Sequence, residues 1–245
     1  MHNIKLIIEY DGTNYHGWQK QKNAITVQEK IEEVLKTLTR ANINLIGAGR
    51  TDAGAHARGQ TANFRIEDLA IPVNKLPHAI NTLLPEDITV KHAEEVPEGF
   101  HSRFCAKEKI YSYYILNSKF PSPLARKYSF HYPRALDIKN MRQAGSYLIG
   151  THDFVSFKAA GSKAKTTVRE IRGFEIQKEG EMIRTIFRGD GFLYNMVRIM
   201  MGTILLVGEG KVPPEYIQHV ISSKKRENAG MTLPAKGLIL EQVIY

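Results

Sequence analysis

The order of apolar and turn-forming segments predicts an α+β fold built from two ferredoxin-like or RRM-like halves. Two observations predict it. Residues 1–105 read β-α-β-β-α-β, and residues 106–245 follow a similar plan, although no residue-level repeat joins them. In the first half, Lys5 to Tyr10 reads as a strand. Thr26 to Thr39 is the best-signalled helix: Thr26 and Glu29 have capping-box spacing, and Val27, Ile31, Val34, Leu35 and Leu38 fall on one face, which makes them core. The apolar run Ile43 to Ile46 and the segment Gln60 to Ile66 read as strands flanking a glycine-rich loop. A helix over Val73 to Leu83 and a strand over Ile88 to Val96 complete this half.

The second half opens with a tyrosine-rich strand, Lys107 to Leu116. Period-two geometry puts Lys109, Tyr111, Tyr113 and Ile115 on one face. Aromatics in such a strand ordinarily pack across it. A helix over Asp137 to Leu148 follows, then a hairpin of Val168 to Gln177 and Met182 to Arg188 about Glu179-Gly180. Phe192 to Val207 reads as a helix whose stripe is Leu193, Met196, Val197, Met200, Met201, Ile204 and Leu205. Arg198 lies at the edge of that stripe, where an arginine ordinarily snorkels to solvent. Leu238 to Ile244 is the last strand.

Composition narrows the function. The chain has 245 residues, ample for a sizeable core, and 34 basic against 25 acidic side chains give a net charge of +9. That balance favours a polyanionic partner. One cysteine, Cys105, rules out an intramolecular disulfide framework; between Phe104 and Ala106 it reads as a packing residue. The nine histidines include no His-x-x-x-His pair, so no metal site is assigned and no cofactor is expected. With no long apolar run and no signal-peptide pattern, the expectation is a cytoplasmic protein without a membrane segment.

The loop Gly49 to Ala57, Gly-Arg-Thr-Asp-Ala-Gly-Ala-His-Ala, concentrates the chemistry. In extended backbone Arg50 and Asp52 share a side while Thr51 turns away, and Asp-Ala-Gly then supplies a turn. An Asp in this setting ordinarily caps its turn. A dinucleotide fingerprint fails because Asp52 occupies the third glycine position after Gly47 and Gly49, and no Gly-Lys-Ser/Thr follows for a phosphate loop. His56 reads equally as a hydrogen-bonding partner of Asp52 or as an ordinary polar loop residue.

This loop resembles the signature of the TruA-type tRNA pseudouridine synthases. Further segments are similar in the same order: Glu9-Tyr10-Asp11-Gly12, Gly17-Trp18-Gln19, Phe100-His101-Ser102-Arg103-Phe104, Lys109 to Asn117, Phe154 to Phe157, Asn195-Met196-Val197-Arg198 and Lys236-Gly237-Leu238-Ile239-Leu240. The resemblance covers essentially the whole chain. Ala55 departs from it, standing where the family more often has Val.

The resemblance implies an extended, mostly antiparallel sheet shared by the two halves, with helices on one side, a central active-site cleft, and a homodimer. It implies isomerisation of uridine to pseudouridine at positions 38 to 40 of the tRNA anticodon stem-loop, with no small-molecule cofactor. Asp52 is then the catalytic nucleophile or base, acting at C6, at C1′ or on the C2′ proton. The uracil must leave the stack, at a cost of roughly a few kcal/mol. Arg50 resembles the residue that fills the vacated stack, Arg198 the one that pairs with the catalytic aspartate, Tyr111 the active-site tyrosine, and Leu238 the leucine that closes on the base. Asp52 and Tyr111 are the candidates for removing the C5 proton.

Lys158, Lys163, Lys165, Arg169 and Arg172, in or beside a small-residue loop, are candidates for tracking the RNA backbone. A second cluster, Lys224-Lys225-Arg226, follows a short helix. Two other classes compete. A non-catalytic RNA-binding module would leave Asp52 as a turn residue, and an RNA N-glycoside hydrolase would release free uracil.

Overall fold

The computed structural model describes residues 1–161 and 164–245. In chain order the elements are β1 (His2–Tyr10), α1 (Val27–Thr39), β2 (Ile46–Gly47), β3 (His56–Ile66), α2 (Leu76–Asn81), β4 (Ile88–Glu95), β5 (Glu108–Leu116), β6 (Phe130–His131), α3 (Ile138–Ser146), β7 (Gly150–Asp153), β8 (Val168–Glu179), β9 (Met182–Gly189), α4 (Met196–Gly208), α5 (Tyr216–Ser223) and β10 (Leu238–Ile244). The class is α+β, and the strands pair almost entirely antiparallel. Two compact units divide the chain: Met1–Lys107 with Leu240–Tyr245, and Glu108–Ile239.

In the first unit β1 lies between β4 and β3, antiparallel to both, and the short β2 pairs with β3. That is the strand arrangement of a ferredoxin-like half. Ile4, Leu6, Ile8 and Tyr10 alternate inward along β1. Helix α1 buries Val27, Ile31, Val34 and Leu35, and the Thr26 hydroxyl accepts the Glu29 N–H at its start. Arg40, in the left-handed region at φ 58°, stops it.

The segment read as a strand from Ile43 to Ile46 is strand only at Ile46–Gly47. Side chains of α1 take the backbone groups a strand would have used: Gln28 donates to Leu45 O (3.0 Å), and Glu32 accepts from Leu45 N–H (3.0 Å). The helix expected over Val73 to Leu83 is split into a 3₁₀ turn at Val73–Lys75 and α2, with Pro77 tolerated in the first turn, where its missing N–H costs nothing.

In the second unit β5 pairs with β9, β9 with β8, and β8 with β7, while β6 runs parallel to β5. Gly180, at φ 57°, makes the β8–β9 turn. The helix expected from Phe192 begins at Met196, because Asn195 sits in the left-handed region (φ 61°) and cannot continue a right-handed helix. Every residue of α4 is buried apart from Arg198 and Leu206.

Candidate active site

The loop between β2 and β3 carries Asp52 and is fastened at each end. Ala48 N–H donates to Thr61 O (2.7 Å), and Gln60 Nε2 donates to Gly49 O (2.9 Å). Trp18 N–H reaches Thr51 O (3.3 Å), Gly54 N–H reaches Tyr15 O (3.2 Å), and Ala55 N–H closes the turn onto Asp52 O (3.1 Å). Side chains alternate as the extended reading expects: Arg50 is exposed, Thr51 buried and Asp52 half-buried.

Segment 11–18 can lie against this loop because two of its residues lack a side chain. A Cβ on Gly17, which has φ 88°, would stand 2.5 Å from Thr51 O, and one on Gly12 would strike Ala55 O. His56 is buried at the start of β3, and its Nδ1 accepts Gly12 N–H (3.0 Å). Nδ1 also lies 3.1 Å from Asp11 Oδ1. The ring nitrogen sits between the Gly12 amide and the Asp11 carboxylate. His56 thus ties segment 11–18 to the end of the loop.

Tyr10 was not singled out by the sequence, yet it supports the loop from below. Its hydroxyl bonds Thr51 Oγ1 (2.7 Å). Burial drives the Tyr10 phenol far above its usual range, the Thr51 bond opposes that, and the nearby Asp52 charge adds to the rise, so the group stays a neutral hydroxyl. Tyr10→Phe is expected to cost about 1 kcal/mol of stability through the lost bond. Turnover is expected to fall several-fold with tRNA affinity unchanged. A thermal melt and a kcat measurement check both.

The second unit holds the other candidates. Tyr111 is buried on β5, with its ring edge-on to Phe192 at 5.1 Å. Arg198, in the first turn of α4, does not snorkel. Its Nε donates to Leu233 O (2.7 Å) and its Nη1 to Asn195 Oδ1 (2.7 Å). Leu233 N–H in turn donates to Arg198 O (3.3 Å).

Tyr113, two residues beyond Tyr111, joins these parts. Its hydroxyl donates to Pro234 O (2.8 Å), and a Cβ on Gly237 would strike its ring. Burial raises its phenol strongly, and the Arg198 charge pulls the other way. Leu238, buried, follows directly at the start of β10.

Asn195, met in the sequence only as part of a motif, holds Arg198 through its amide oxygen. An αL asparagine whose amide oxygen meets a guanidinium is a local signal for such a role. Asn195→Gly keeps the left-handed backbone and deletes the amide. It is expected to lower kcat about tenfold with little change in melting temperature, whereas a matched fall in both would make the residue merely structural.

The basic candidates separate. Lys158 is half-buried and Lys165 exposed. Arg169 turns its guanidinium to Val168 O, and Arg172 is bonded to Glu170 (2.9 Å), with Glu108 at 3.8 Å. Those carboxylates, Glu170 foremost, hold the Arg172 cation more firmly protonated and occupy its donors. Lys163 lies outside the described residues. In the second cluster Lys224 faces Asp153 (3.3 Å), and Arg226 holds the turn Ala229–Gly230–Thr232 through its guanidinium. Cys105, read as packing, is exposed instead, because the chain turns at 101–105 and puts it outside. Among the described residues no group of three His, Cys, Asp or Glu side chains is arranged to hold a metal ion, and no helix is long and apolar enough to cross a membrane.

The first unit presents one half-buried carboxylate on a fastened loop, and the second holds buried tyrosines and an arginine fixed in the first turn of α4. A sequence profile described as tRNA pseudouridine synthase matches residues 6–105 and 144–245. Proteins named tRNA pseudouridine synthase A from Acetivibrio thermocellus, Thermoanaerobacter sp. and Clostridium acetobutylicum are 52%, 49% and 48% identical to it, each match covering 100% of both chains. The chain belongs to the tRNA pseudouridine synthase family, isomerases that act on tRNA.

Proposed function

We propose that this enzyme isomerises uridine to pseudouridine at positions 38 to 40 of the tRNA anticodon stem-loop, with Asp52 as nucleophile or base. The observation that supports this most is the setting of Asp52: a half-buried carboxylate on a loop whose flanking backbone is fastened at Ala48, Gly49, Thr51, Gly54 and Ala55. Such fixation keeps a reacting group in attack geometry without cost at the moment of reaction.

The reaction balances without an added reagent. The N1–C1′ bond breaks, the uracil turns, C5 joins C1′, the C5 proton leaves to a base, and N1 gains a proton. Asp52 attacks the substrate or takes a proton. Tyr111 stacks on the extruded base or carries the C5 proton. Arg50, exposed on the same loop, fills the vacated stack, for which a planar guanidinium is suited. Arg198 supplies a fixed positive charge for the reacting groups, and Leu238 an apolar contact for the base. Lys158, Lys165 and Arg169 follow the phosphate backbone. The enzyme works as a homodimer in the cytoplasm, where its substrate is found.

Tritium release from tRNA labelled at uridine C5 tests the reading, with free uracil assayed alongside. Release that disappears when uridines 38, 39 and 40 are all replaced by cytidine, with no free uracil, is the expected result. Free uracil would make the protein a hydrolase, and release that survives the replacement would move the site elsewhere in the tRNA.

A further inference from the structure

The turn at 101–105 in the first unit has no part in the site described above, and it is built with care. His101 Nδ1 accepts the N–H groups of Arg103 (3.1 Å) and Phe104 (3.4 Å), while His101 O accepts those of Phe104 (3.1 Å) and Cys105 (2.9 Å). Ser102, fully buried, anchors the base of the turn. Its N–H donates to Asn63 Oδ1 (2.9 Å), its hydroxyl sits 2.8 Å from Ile46 O, and its carbonyl accepts Tyr245 OH (2.7 Å).

This framework holds one large apolar ring out in solvent. Phe104 is 75% exposed. The His101 ring stacks beside it at 4.3 Å, and the Arg103 guanidinium lies 5.6 Å from its centre. Residues 101–107 include His, Arg and Lys and no acid. An aromatic face with a guanidinium at its side is the arrangement that takes an unstacked nucleobase and its phosphate. A single ring is too small a patch for an apolar protein contact.

Its location agrees. Ile46, to which Ser102 is bonded, lies in β2, whose chain runs directly into the Asp52 loop. The four residue steps from Ile46 to Arg50 span at most about 14 Å.

We propose that the Arg103–Phe104 turn is a nucleobase-stacking site of this enzyme, taking one unpaired loop base of the tRNA on Phe104 and the adjoining phosphate on Arg103. This rests on tRNA being the substrate. A base held here restrains the strand close to the nucleotide that is drawn out, so the site contributes to binding and not to the chemical step.

The test measures the affinity of wild type, Phe104→Ala, Phe104→Trp and Arg103→Ala for unmodified tRNA transcript, together with kcat and KM by tritium release. Phe104→Ala is expected to weaken binding about tenfold or more and to raise KM in proportion with kcat unchanged. Phe104→Trp restores both. Arg103→Ala lowers the slope of log affinity against log salt by about one. Replacing the loop nucleotides one at a time by abasic residues is expected to find one position that weakens wild type but not Phe104→Ala.

Phe104→Ala binding within twofold of wild type overturns the proposal, as does a loss that Trp does not restore or the lack of any coupled abasic position. An inactive wild type that still binds tRNA would count against the isomerase reading alone, since the binding series would still report on this turn.

Discussion

The Asp52→Asn enzyme is expected to bind tRNA with near wild-type affinity and to turn over at least about a thousandfold more slowly. Asparagine is nearly isosteric, and backbone bonds together with the side chains of Thr51 and Gln60 fasten the loop independently of the residue 52 carboxylate's charge. The loop therefore keeps its shape. Affinity for RNA comes largely from phosphate contacts spread over the surface, which this change leaves alone. What is lost is the carboxylate's capacity to attack or to take a proton. Tritium release under single-turnover conditions, beside a binding titration, separates the two. Turnover within tenfold of wild type would remove Asp52 from the chemistry.

The second large effect is expected from a residue with no functional group. Gly17→Ala forces an L side chain into φ 88° and drives a methyl against Thr51 O and the Asp52 carbonyl carbon. The left-handed backbone costs about 1 kcal/mol and the overlap adds to it, for a total of about 2 to 4 kcal/mol. For a chain of this size that lowers the melting temperature by roughly 5 to 15 °C. The loop can relieve the overlap only by moving the residues on either side of Asp52, so kcat falls as well, by about a hundredfold. A variant that melts like wild type and keeps its rate would show that the loop tolerates displacement.

The elements that the sequence revealed are those whose periodicity and end signals agree. Thr26, the spaced apolar residues of α1 and the Glu179-Gly180 turn each give a local reason for what is observed. The misreadings have non-local causes. Nothing near Leu45 announces that Gln28 and Glu32 will take its backbone groups, so an apolar run passed for a strand. The extra helical turn at Phe192 followed from apolar spacing that continues past Asn195, whose φ overrules it. β6 and β7, two and four residues long, are too short to show a period.

Among the candidate residues, Asp52 stood out in the sequence because its neighbours spell a motif. Tyr10 and Tyr113 form hydrogen bonds to partners far along the chain, at Thr51 and Pro234, which a linear pattern does not encode, whereas Asn195 meets Arg198 only three residues on. Arg172, read from sequence as a candidate for the RNA backbone, is bonded to Glu170, a pairing that the linear pattern did not announce.

The grouping of Leu240–Tyr245 with Met1–Lys107 has a consequence for synthesis. β3 takes its neighbour β10 from residues made long after it, with Arg58 bonded to Glu241 (2.9 Å) and Lys107 N–H to Ile244 O (2.8 Å). Translation at roughly 5 to 20 residues per second needs on the order of 10 s to deliver the intervening segment. For that interval a nascent chain already carries its Asp52 loop while one margin of β3 lacks its mate, a period in which a ribosome-associated chaperone or a neighbouring nascent chain can compete for it. The Asp52 loop thus leaves the ribosome well before the strand that completes its sheet.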